Sequence, residues 1–168
     1  YLIRGETEMV LLEIANKLDS KVSIEDTNGL AFMKNDEMIV NQKQKIISDL
    51  DIMAPYDYSI FEEQTFYRPY NGNVVRAVDF EISRGCIYSC SYCVETVIQN
   101  YYSFNESNPK TGAIKNFKKY HRSKSAKVVF QEIIDLNKNY GISLFRCQDT
   151  NFLTINKGLL EELGELLN

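Results

Sequence analysis

Three cysteines lie within eight positions of one another near the middle of the chain: Cys86, Cys90 and Cys93. Their spacing is C-x3-C-x2-C, and an aromatic residue, Tyr92, precedes the last of them. Iron–sulfur clusters are held by cysteine thiolates, usually by four of them. Three thiolates on one short loop therefore suit three irons of a [4Fe–4S] cluster and leave the fourth iron open to an exchangeable ligand.

Two other uses of the same cysteines remain open. A structural zinc site takes four nitrogen or sulfur ligands, usually as two spaced pairs, and only Cys147 and His121 are left to complete one. A disulfide framework is typical of small secreted proteins, but this chain has four cysteines in 168 residues, with three of them clustered. The spacing favours the cluster.

Residues 84–93 resemble the cluster loop of radical S-adenosylmethionine enzymes. The resemblance implies that the amino and carboxylate groups of S-adenosylmethionine bind the open iron. It also implies that the cofactor is cleaved reductively to methionine and a 5′-deoxyadenosyl radical, with an electron donor such as flavodoxin or ferredoxin. Tyr92 is then expected near the adenine; the alternative is an apolar plug beside the cluster.

A second segment, residues 148–152, resembles the end of the second strand in this family, where D-[DE]-x-F or Q-D-T occurs. The resemblance implies that Asp149, and after it Thr150, contacts the methionyl amino group of the cofactor. The alternative for Asp149 is a simple turn residue. Cys147, two residues earlier, is predicted to be a buried core thiol.

Hydrophobic periodicity predicts the strand that leads into the cysteine loop. Val78, Phe80 and Ile82 alternate with Asp79 and Glu81, which indicates a strand with one polar face. Glu81 either faces a barrel interior and the substrate, or is a solvated or salt-bridged strand residue. The second interpretation is favoured, because a single charge on a strand is rarely functional.

Helices are predicted after the cysteine loop. Residues 94–102 indicate a first helix, Ser125 is a plausible N-cap for a second, and Gly141 ends that helix. A strand is predicted over residues 142–147, followed by a leucine-rich helix that runs to the end of the chain. The apolar face of the second helix consists of Val129, Ile133, Leu136 and Tyr140.

Residues 1–55 predict a strand, a helix and a hairpin. The helix has Leu11, Ile14, Ala15 and Leu18 on one face, and the hairpin turns at residues 34–37. Three short motifs, at residues 4–8, 28–32 and 49–61, resemble the tail of the cobalamin-binding domain that precedes one class of radical S-adenosylmethionine enzymes. Cobalamin is thus a possible cofactor, but no residue here is predicted to bind it, and a ligand-free α/β extension is the alternative.

The resemblance implies an α/β fold in three parts. Residues 1–55 are the tail of a Rossmann-like cobalamin-binding domain, residues 56–73 an aromatic-rich linker, and residues 74–168 the N-terminal part of a partial (βα)6 TIM-like barrel. Sites of such barrels lie at the C-terminal ends of the strands. The linker has one arginine against three acidic residues, so its aromatic rings are predicted to pack rather than to bind nucleic acid.

Composition predicts a cytoplasmic protein. The formal net charge of -4 gives no reason to expect nucleic acid, and neither an apolar run long enough to span a membrane nor a signal peptide is present. A basic run over residues 110–127 is predicted to be a solvated loop with His121 at its surface; a phosphate grip is the alternative. The chain begins at Tyr1 and ends inside an apolar periodic run, so a fragment of a longer protein is expected.

Three functions follow from these patterns. The first is a radical S-adenosylmethionine enzyme of the cobalamin type that acts on a small molecule, such as a methyltransferase or a ring-forming or rearranging enzyme. The second is a methylthiotransferase acting on tRNA or a ribosomal protein, which would need three further N-terminal cysteines. The third is a non-enzymatic zinc-binding module. The identity of the metal separates the third from the other two.

Overall fold

The computed structural model describes residues 1–104 and 106–168 and divides into two compact units. The first unit consists of Tyr1–Ile47 and Ser89–Lys115, apart from residue 105, and the second of Ser48–Tyr88 and Asn116–Asn168. No helix in the described part of the chain is long and apolar enough to cross a membrane. The division into a tail, a linker and a barrel portion stays a prediction.

A three-stranded antiparallel sheet forms the base of the first unit, in the order β1-β2-β3. β1 is Leu2–Ile3, β2 is Leu30–Lys34 and β3 is Glu37–Val40. The turn between β2 and β3 places Asn35 and Asp36 at φ angles of 52° and 62°, the left-handed region that these two residue types tolerate. The predicted hairpin is confirmed.

The predicted N-terminal helix is present, but its predicted buried face is wrong. α1 spans Glu8–Asp19, and Val10 is its buried residue. Leu11 and Leu18 are 51% and 59% exposed. Apolar residues occupy four successive positions at the start of α1, so periodicity identifies the helix but not the side that meets the sheet; Val10 packs there because Gly29 leaves room for it.

The first unit also contains the predicted helix after the cysteines, and Arg4 near the N-terminus contacts it. α2 spans Glu95–Tyr101, and the Arg4 guanidinium lies 5.1 Å from the centre of the Tyr101 ring. The Glu6 carboxylate accepts a hydrogen bond from the backbone N–H of Ile47 at 2.8 Å. Two residues of the R-G-E motif therefore have structural partners within this unit.

The second unit is a mixed α/β layer. In chain order its elements are β4 (Tyr67–Tyr70), β5 (Asn73–Phe80), β6 (Ser83–Arg84), α3 (Phe117–Tyr120), β7 (Arg122–Ser123), α4 (Ala126–Tyr140), β8 (Leu144–Cys147) and α5 (Lys157–Leu167). The main sheet has the order β4-β5-β8, and β6 pairs with β7. β4 and β5 are antiparallel, whereas β5 and β8 are parallel with Ala77 opposite Leu144.

The β5–α4–β8 succession is the crossover that parallel strands require. Ser125 caps α4 by accepting a hydrogen bond from the backbone N–H of Val128, and Gly141 ends the helix at a φ angle of 63°. These predictions and the mixed α/β class are confirmed. The six-unit barrel remains a prediction, because the described residues contain two parallel strands.

One side of the main sheet forms the core of the second unit together with α4 and α5. Val78 and Phe80 on β5, and Ile82 beyond it, are each less than 5% exposed, as their alternation predicts. The full set of buried core residues is Phe66, Val78, Phe80, Ile82, Ala126, Val129, Leu136, Ile142, Ile155 and Leu163. Asp79 lies on the opposite side of β5, and Glu81 follows the strand.

Of the aromatic residues before β4, Phe66 and Tyr58 pack into this same core, as predicted, whereas Tyr56 and Phe61 are 46% and 49% exposed. Phe66 is 3% exposed, and its ring centre lies 5.6 Å from that of Tyr140 on α4. Tyr58 lies 6.1 Å from each of these two rings. Ring clusters of this kind contribute beyond simple area burial, so the segment is fixed within its unit.

The prediction of a solvated basic loop is wrong at its C-terminal end. Tyr120 and Lys124 are each 2% exposed. The Lys124 ammonium forms an ion pair with Glu132 of α4 at 2.8 Å and lies 5.4 Å from the centre of the Phe80 ring. Sequence spacing does not reveal this burial, because the partner is supplied by a different element.

Cys147 is exposed, which corrects its predicted place in the core. It is the last residue of β8, and β8 is an edge strand of its sheet. Its cross-strand partner Phe80 is buried. Within the described part of the chain no further strand covers the outer edge of β8, so the thiol stays accessible.

Candidate functional site

A glycine that no other residue can readily replace introduces the first cysteine of the motif. Gly85 follows β6 and has a φ angle of +86°. A Cβ atom at this position would lie 2.6 Å from the carbonyl oxygen of Tyr120. The chain therefore passes directly against the segment before β7 and then presents Cys86.

Cys86 is half-buried and has two nitrogen donors near its sulfur. The backbone N–H of Tyr88 donates to the Cys86 Sγ at 3.4 Å, and the Asn151 Nδ2 donates to it at 3.7 Å. Hydrogen bonds to a thiolate stabilise its negative charge. Both donors belong to the second unit, as Cys86 does.

Cys90 and Cys93 belong to the first unit, where they form the turn that begins α2. The backbone N–H of Cys93 donates to the Cys90 carbonyl at 3.1 Å, and the Thr96 hydroxyl donates to the same carbonyl at 2.8 Å. Both cysteines are half-buried. The turn therefore fixes the backbone while leaving each sulfur partly accessible.

The chemistry of the donor set fits an iron–sulfur cluster. All four cysteines of the chain are described, and none forms a disulfide. Thiolates are the ligands that such clusters take. Among residues 1–104 and 106–168, no group of three or more His, Cys, Asp or Glu side chains is arranged to hold a metal ion. Cys86 belongs to the second unit and the other two cysteines belong to the first, so three-fold ligation stays a prediction.

Tyr92, the aromatic residue of the motif, is 91% exposed. This exposure does not fit an apolar plug that is buried beside the cysteines. A ring held in solvent at this position is available to a ligand. The expected contact with the adenine of S-adenosylmethionine remains a prediction.

Asp149 links the ends of two parallel strands through one of its carboxylate oxygens. Its other carboxylate oxygen makes no hydrogen bond in the described part of the chain. Its Oδ1 accepts hydrogen bonds from the backbone N–H groups of Ile82 and Ser83 at 3.1 and 2.5 Å, and from the Ser83 hydroxyl at 2.7 Å. Its Oδ2 is buried and has no hydrogen-bond partner in the described part of the chain. A buried acceptor without a donor is costly, so this oxygen suits a ligand that brings one. Thr150, the second predicted contact, is exposed.

His121 is half-buried rather than at the open surface, which corrects its predicted placement. Its Nε2 lies 3.1 Å from the Thr154 hydroxyl, and that hydroxyl donates to the Asn151 carbonyl at 2.8 Å. Because the hydroxyl proton is used in this way, the His121 ring is the donor in their contact. Burial lowers the pKa of His121; the negative charge of Asp149 opposes the shift and Arg122 reinforces it.

Glu81 forms a salt bridge, as the favoured interpretation predicts, but it lies one residue beyond β5 rather than within the strand. Its carboxylate accepts hydrogen bonds from Arg84 at 2.6 and 2.8 Å and from the Tyr56 hydroxyl at 2.9 Å. Burial by itself would raise the pKa of Glu81, but the hydrogen bond and the charge of Arg84 outweigh it and lower this pKa. Burial, with the negative charge of Glu81 next, raises the pKa of Tyr56 to about 12.

Ser83, Asn151 and Thr154 complete the surroundings of Asp149 and Cys86, and the sequence alone does not identify them. Asn151 lies inside the segment that resembles the strand-two motif, but nothing in the spacing relates it to Cys86, which is 65 positions away. Thr154 follows in a short 3₁₀ helix, Phe152–Thr154. Their roles depend on the parallel pairing of β5 and β8.

Comparison with solved structures gives the class of fold. The chain superimposes on the cobalamin-dependent S-adenosylmethionine radical enzyme OxsB with a TM-score of 0.57 and 17% identity, over 98% of this chain and 20% of that one. It also superimposes on the radical S-adenosylmethionine methyltransferase TsrM from Kitasatospora setae, a structure with cobalamin and a [4Fe–4S] cluster bound. That TM-score is 0.54 with 18% identity, over 98% of this chain and 28% of that one.

Two sequence relatives of the chain share one name. The chain is 25% identical over 167 residues to the anaerobic magnesium-protoporphyrin IX monomethyl ester cyclase of Synechocystis sp., covering 99% of this chain and 29% of the relative. It is 26% identical over 171 residues to the enzyme of the same name from Rubrivivax gelatinosus, covering 99% and 27%. The chain thus spans less than a third of these relatives, and no family model matches it.

Together these similarities confirm the resemblance to cobalamin-type radical S-adenosylmethionine enzymes. The relatives in both comparisons are enzymes. The solved structures share 17–18% identity with this chain and therefore inform its fold. Its own reaction is a separate question.

Proposed function

We propose that this chain is the cluster-bearing part of a radical S-adenosylmethionine enzyme. The observation that carries the proposal is a loop of three cysteines, outside any disulfide and half-buried, that follows β5 and β6 in a chain with this fold. The corresponding ends of strands bear the active sites of βα barrels. β5 and β8 would then be the first two strands of the partial (βα)6 barrel.

Cys86, Cys90 and Cys93 would hold the cluster in this proposal, and the position that three ligands leave open would take S-adenosylmethionine. When bound, the cluster supplies the electron that cleaves the cofactor to methionine and a 5′-deoxyadenosyl radical. The protein contributes binding, orientation and electrostatics around such a group. Three thiolates on a short turn, rather than four, are what leaves the exchangeable position.

Asp149 and Tyr92 would orient the cofactor. The Oδ2 of Asp149 is a buried acceptor with no hydrogen-bond partner in the described part of the chain, which suits a donor such as the methionyl ammonium group. Thr150 is the next candidate for that contact. The exposed ring of Tyr92 is available to pack beside the adenine.

The substrate is proposed to be a small molecule. The relatives include an enzyme named for a magnesium-porphyrin ester and a methyltransferase solved with tryptophan. A cobalamin-dependent methyltransferase or a related radical enzyme is the favoured reaction type. Flavodoxin or ferredoxin is the proposed electron donor. Cobalamin would bind through residues that this chain does not supply.

The experiment that tests this function is metal loading of single-cysteine variants. After anaerobic reconstitution, the parent chain is expected to hold about four irons and four sulfides. Cys86→Ala, Cys90→Ala and Cys93→Ala should each lose most of this iron, because each removes one of three ligands. Cys147→Ala is the matched control and should load like the parent.

Two outcomes would contradict the assignment. One zinc and no iron per chain would identify the zinc-binding module instead. Equal iron loss in Cys147→Ala and in the motif variants would show that the three-cysteine loop is not the site. The methylthiotransferase alternative predicts the same loading but requires a second set of cysteines elsewhere in the protein.

A further inference from the structure

The first cysteine of the motif is contacted by a side chain from a distant part of the sequence. The Asn151 Nδ2 donates a hydrogen bond to the Cys86 Sγ at 3.7 Å. Asn151 follows β8, whereas Cys86 follows β6. Because a thiolate can only accept, the amide nitrogen is the end of the Asn151 side chain that suits it.

Asn151 is held in this position by its neighbours. Its backbone carbonyl accepts hydrogen bonds from the Thr154 hydroxyl at 2.8 Å and from the Thr154 backbone N–H at 3.2 Å. His121 in turn donates to the Thr154 hydroxyl. The Asn151 side chain does not cap the 3₁₀ helix that follows it, so its amide group is available to the sulfur.

We propose that Asn151 is a positioning residue that raises the reduction potential of the cluster held by Cys86, an inference that rests on the proposed function. Reduction adds one electron, and its negative charge is shared with the thiolate ligands. An N–H donor stabilises the more negative, reduced state more than the oxidised one. Hydrogen bonds to sulfur are among the factors that set the potential of iron–sulfur clusters.

This contact also links two functions within one turn. Asp149 lies two residues before Asn151, and its Oδ2 is the proposed acceptor for the cofactor. The end of β8 would then hold S-adenosylmethionine through Asp149 and adjust a ligand of the cluster through Asn151. Mutation of a residue that contacts a metal ligand in this way typically lowers metal affinity or activity by 10- to 100-fold.

The test is the midpoint potential of the reconstituted chain, measured by EPR during titration with dithionite and redox mediators. Asn151→Leu keeps the size of the side chain and removes the donor. We expect its reduction equilibrium to become about tenfold less favourable, a shift of about 59 mV to more negative potential for a one-electron couple. Asn151→Asp should shift at least as far, because it places a carboxylate beside the sulfur. Asn139→Leu, an exposed asparagine on α4, is the matched control and should not shift.

The possible outcomes distinguish a failure of this inference from a failure of the proposed function on which it rests. A parent chain that takes up no iron and sulfide contradicts the proposed function itself. A loaded parent together with an Asn151→Leu variant of unchanged potential overturns the inference alone. If the Asn151→Leu variant takes up no cluster, the midpoint potential of Asn151→Asp is compared with that of the parent instead, and an unchanged potential overturns the inference. Loss of the cluster from both variants overturns the inference too, because Asn151 would then be required for retention rather than for potential.

Discussion

The two carboxylate oxygens of Asp149 have very different surroundings. One accepts three hydrogen bonds from Ile82 and Ser83, and the other is buried without a donor. The first arrangement accounts for the shape of the turn after β8. The second has no structural use within the described residues, which is why we relate it to a ligand with a positive charge.

Replacing Asp149 with Asn is therefore a sharp test of cofactor binding. Asp149→Asn keeps an acceptor for Ile82 and Ser83 but removes the charge. A hydrogen bond to a charged group contributes about 1.5–3 kcal/mol, so we expect roughly a 10- to 100-fold weaker affinity for S-adenosylmethionine. Equilibrium binding to the reconstituted protein measures this change.

Asp135→Asn is the matched control for this measurement. Asp135 is an exposed carboxylate on α4 that accepts a hydrogen bond from Gln131, so its variant should bind the cofactor normally. Iron content and thermal unfolding confirm that both variants are loaded and folded. An unchanged affinity in a fully loaded Asp149→Asn protein would contradict the role assigned to this oxygen.

At the residue level, the local motifs predict the three cysteine ligands and the cofactor contact of Asp149, and these assignments stay predictions. The cysteine spacing and the acidic residue after the second strand both stand out without a structure. The exposure of Cys147 and the burial of Lys124 do not, because each depends on an element far away in the chain. Edge position in a sheet determines the first, and the Glu132 carboxylate on α4 determines the second.

At the scale of elements, the turn before the cysteine loop depends on close packing of two backbones. Gly85 combines a φ angle of +86° with a carbonyl oxygen only 2.6 Å from the place of a Cβ atom. Gly72, in the turn between β4 and β5, has a similar φ angle of +77° but no atom within 4 Å of that place. Comparing these two glycines therefore separates the cost of the left-handed backbone conformation from the cost of the steric contact.

We expect Gly85→Ala to destabilise the protein more than Gly72→Ala. Both variants pay for a left-handed conformation, about 1–2 kcal/mol. Gly85→Ala should lose a further 1–3 kcal/mol, roughly the cost of overpacking, because the Tyr120 carbonyl belongs to a backbone that cannot easily move. Denaturant unfolding of the two variants measures the difference. Equal losses would mean that the contact with Tyr120 does not constrain this turn.

The elements themselves were largely predictable from periodicity. β5 and α4 both have regular patterns, and both are located correctly. Ser125 and Gly141 mark the two ends of α4. The hairpin of β2 and β3 was found because Asn35 and Asp36 suit its turn. The buried face of α1 was wrong, since apolar side chains on several sides of a helix do not identify the side that packs.

At the scale of the whole molecule, the chain consists of two compact units and spans less than a third of its sequence relatives. The division into units falls within the cysteine motif: Cys86 belongs to the second unit, and Cys90 and Cys93 belong to the first. The local pattern predicts three ligands, whereas their assembly depends on tertiary structure.

In the proposed function, three cysteines hold a cluster with one iron open to S-adenosylmethionine. The most direct test is the EPR spectrum of the reduced, anaerobically reconstituted protein, recorded before and after addition of the cofactor. We predict a cluster signal that changes when S-adenosylmethionine is added and that is absent in Cys90→Ala. A reduced cluster whose spectrum is the same with and without the cofactor would contradict the claim.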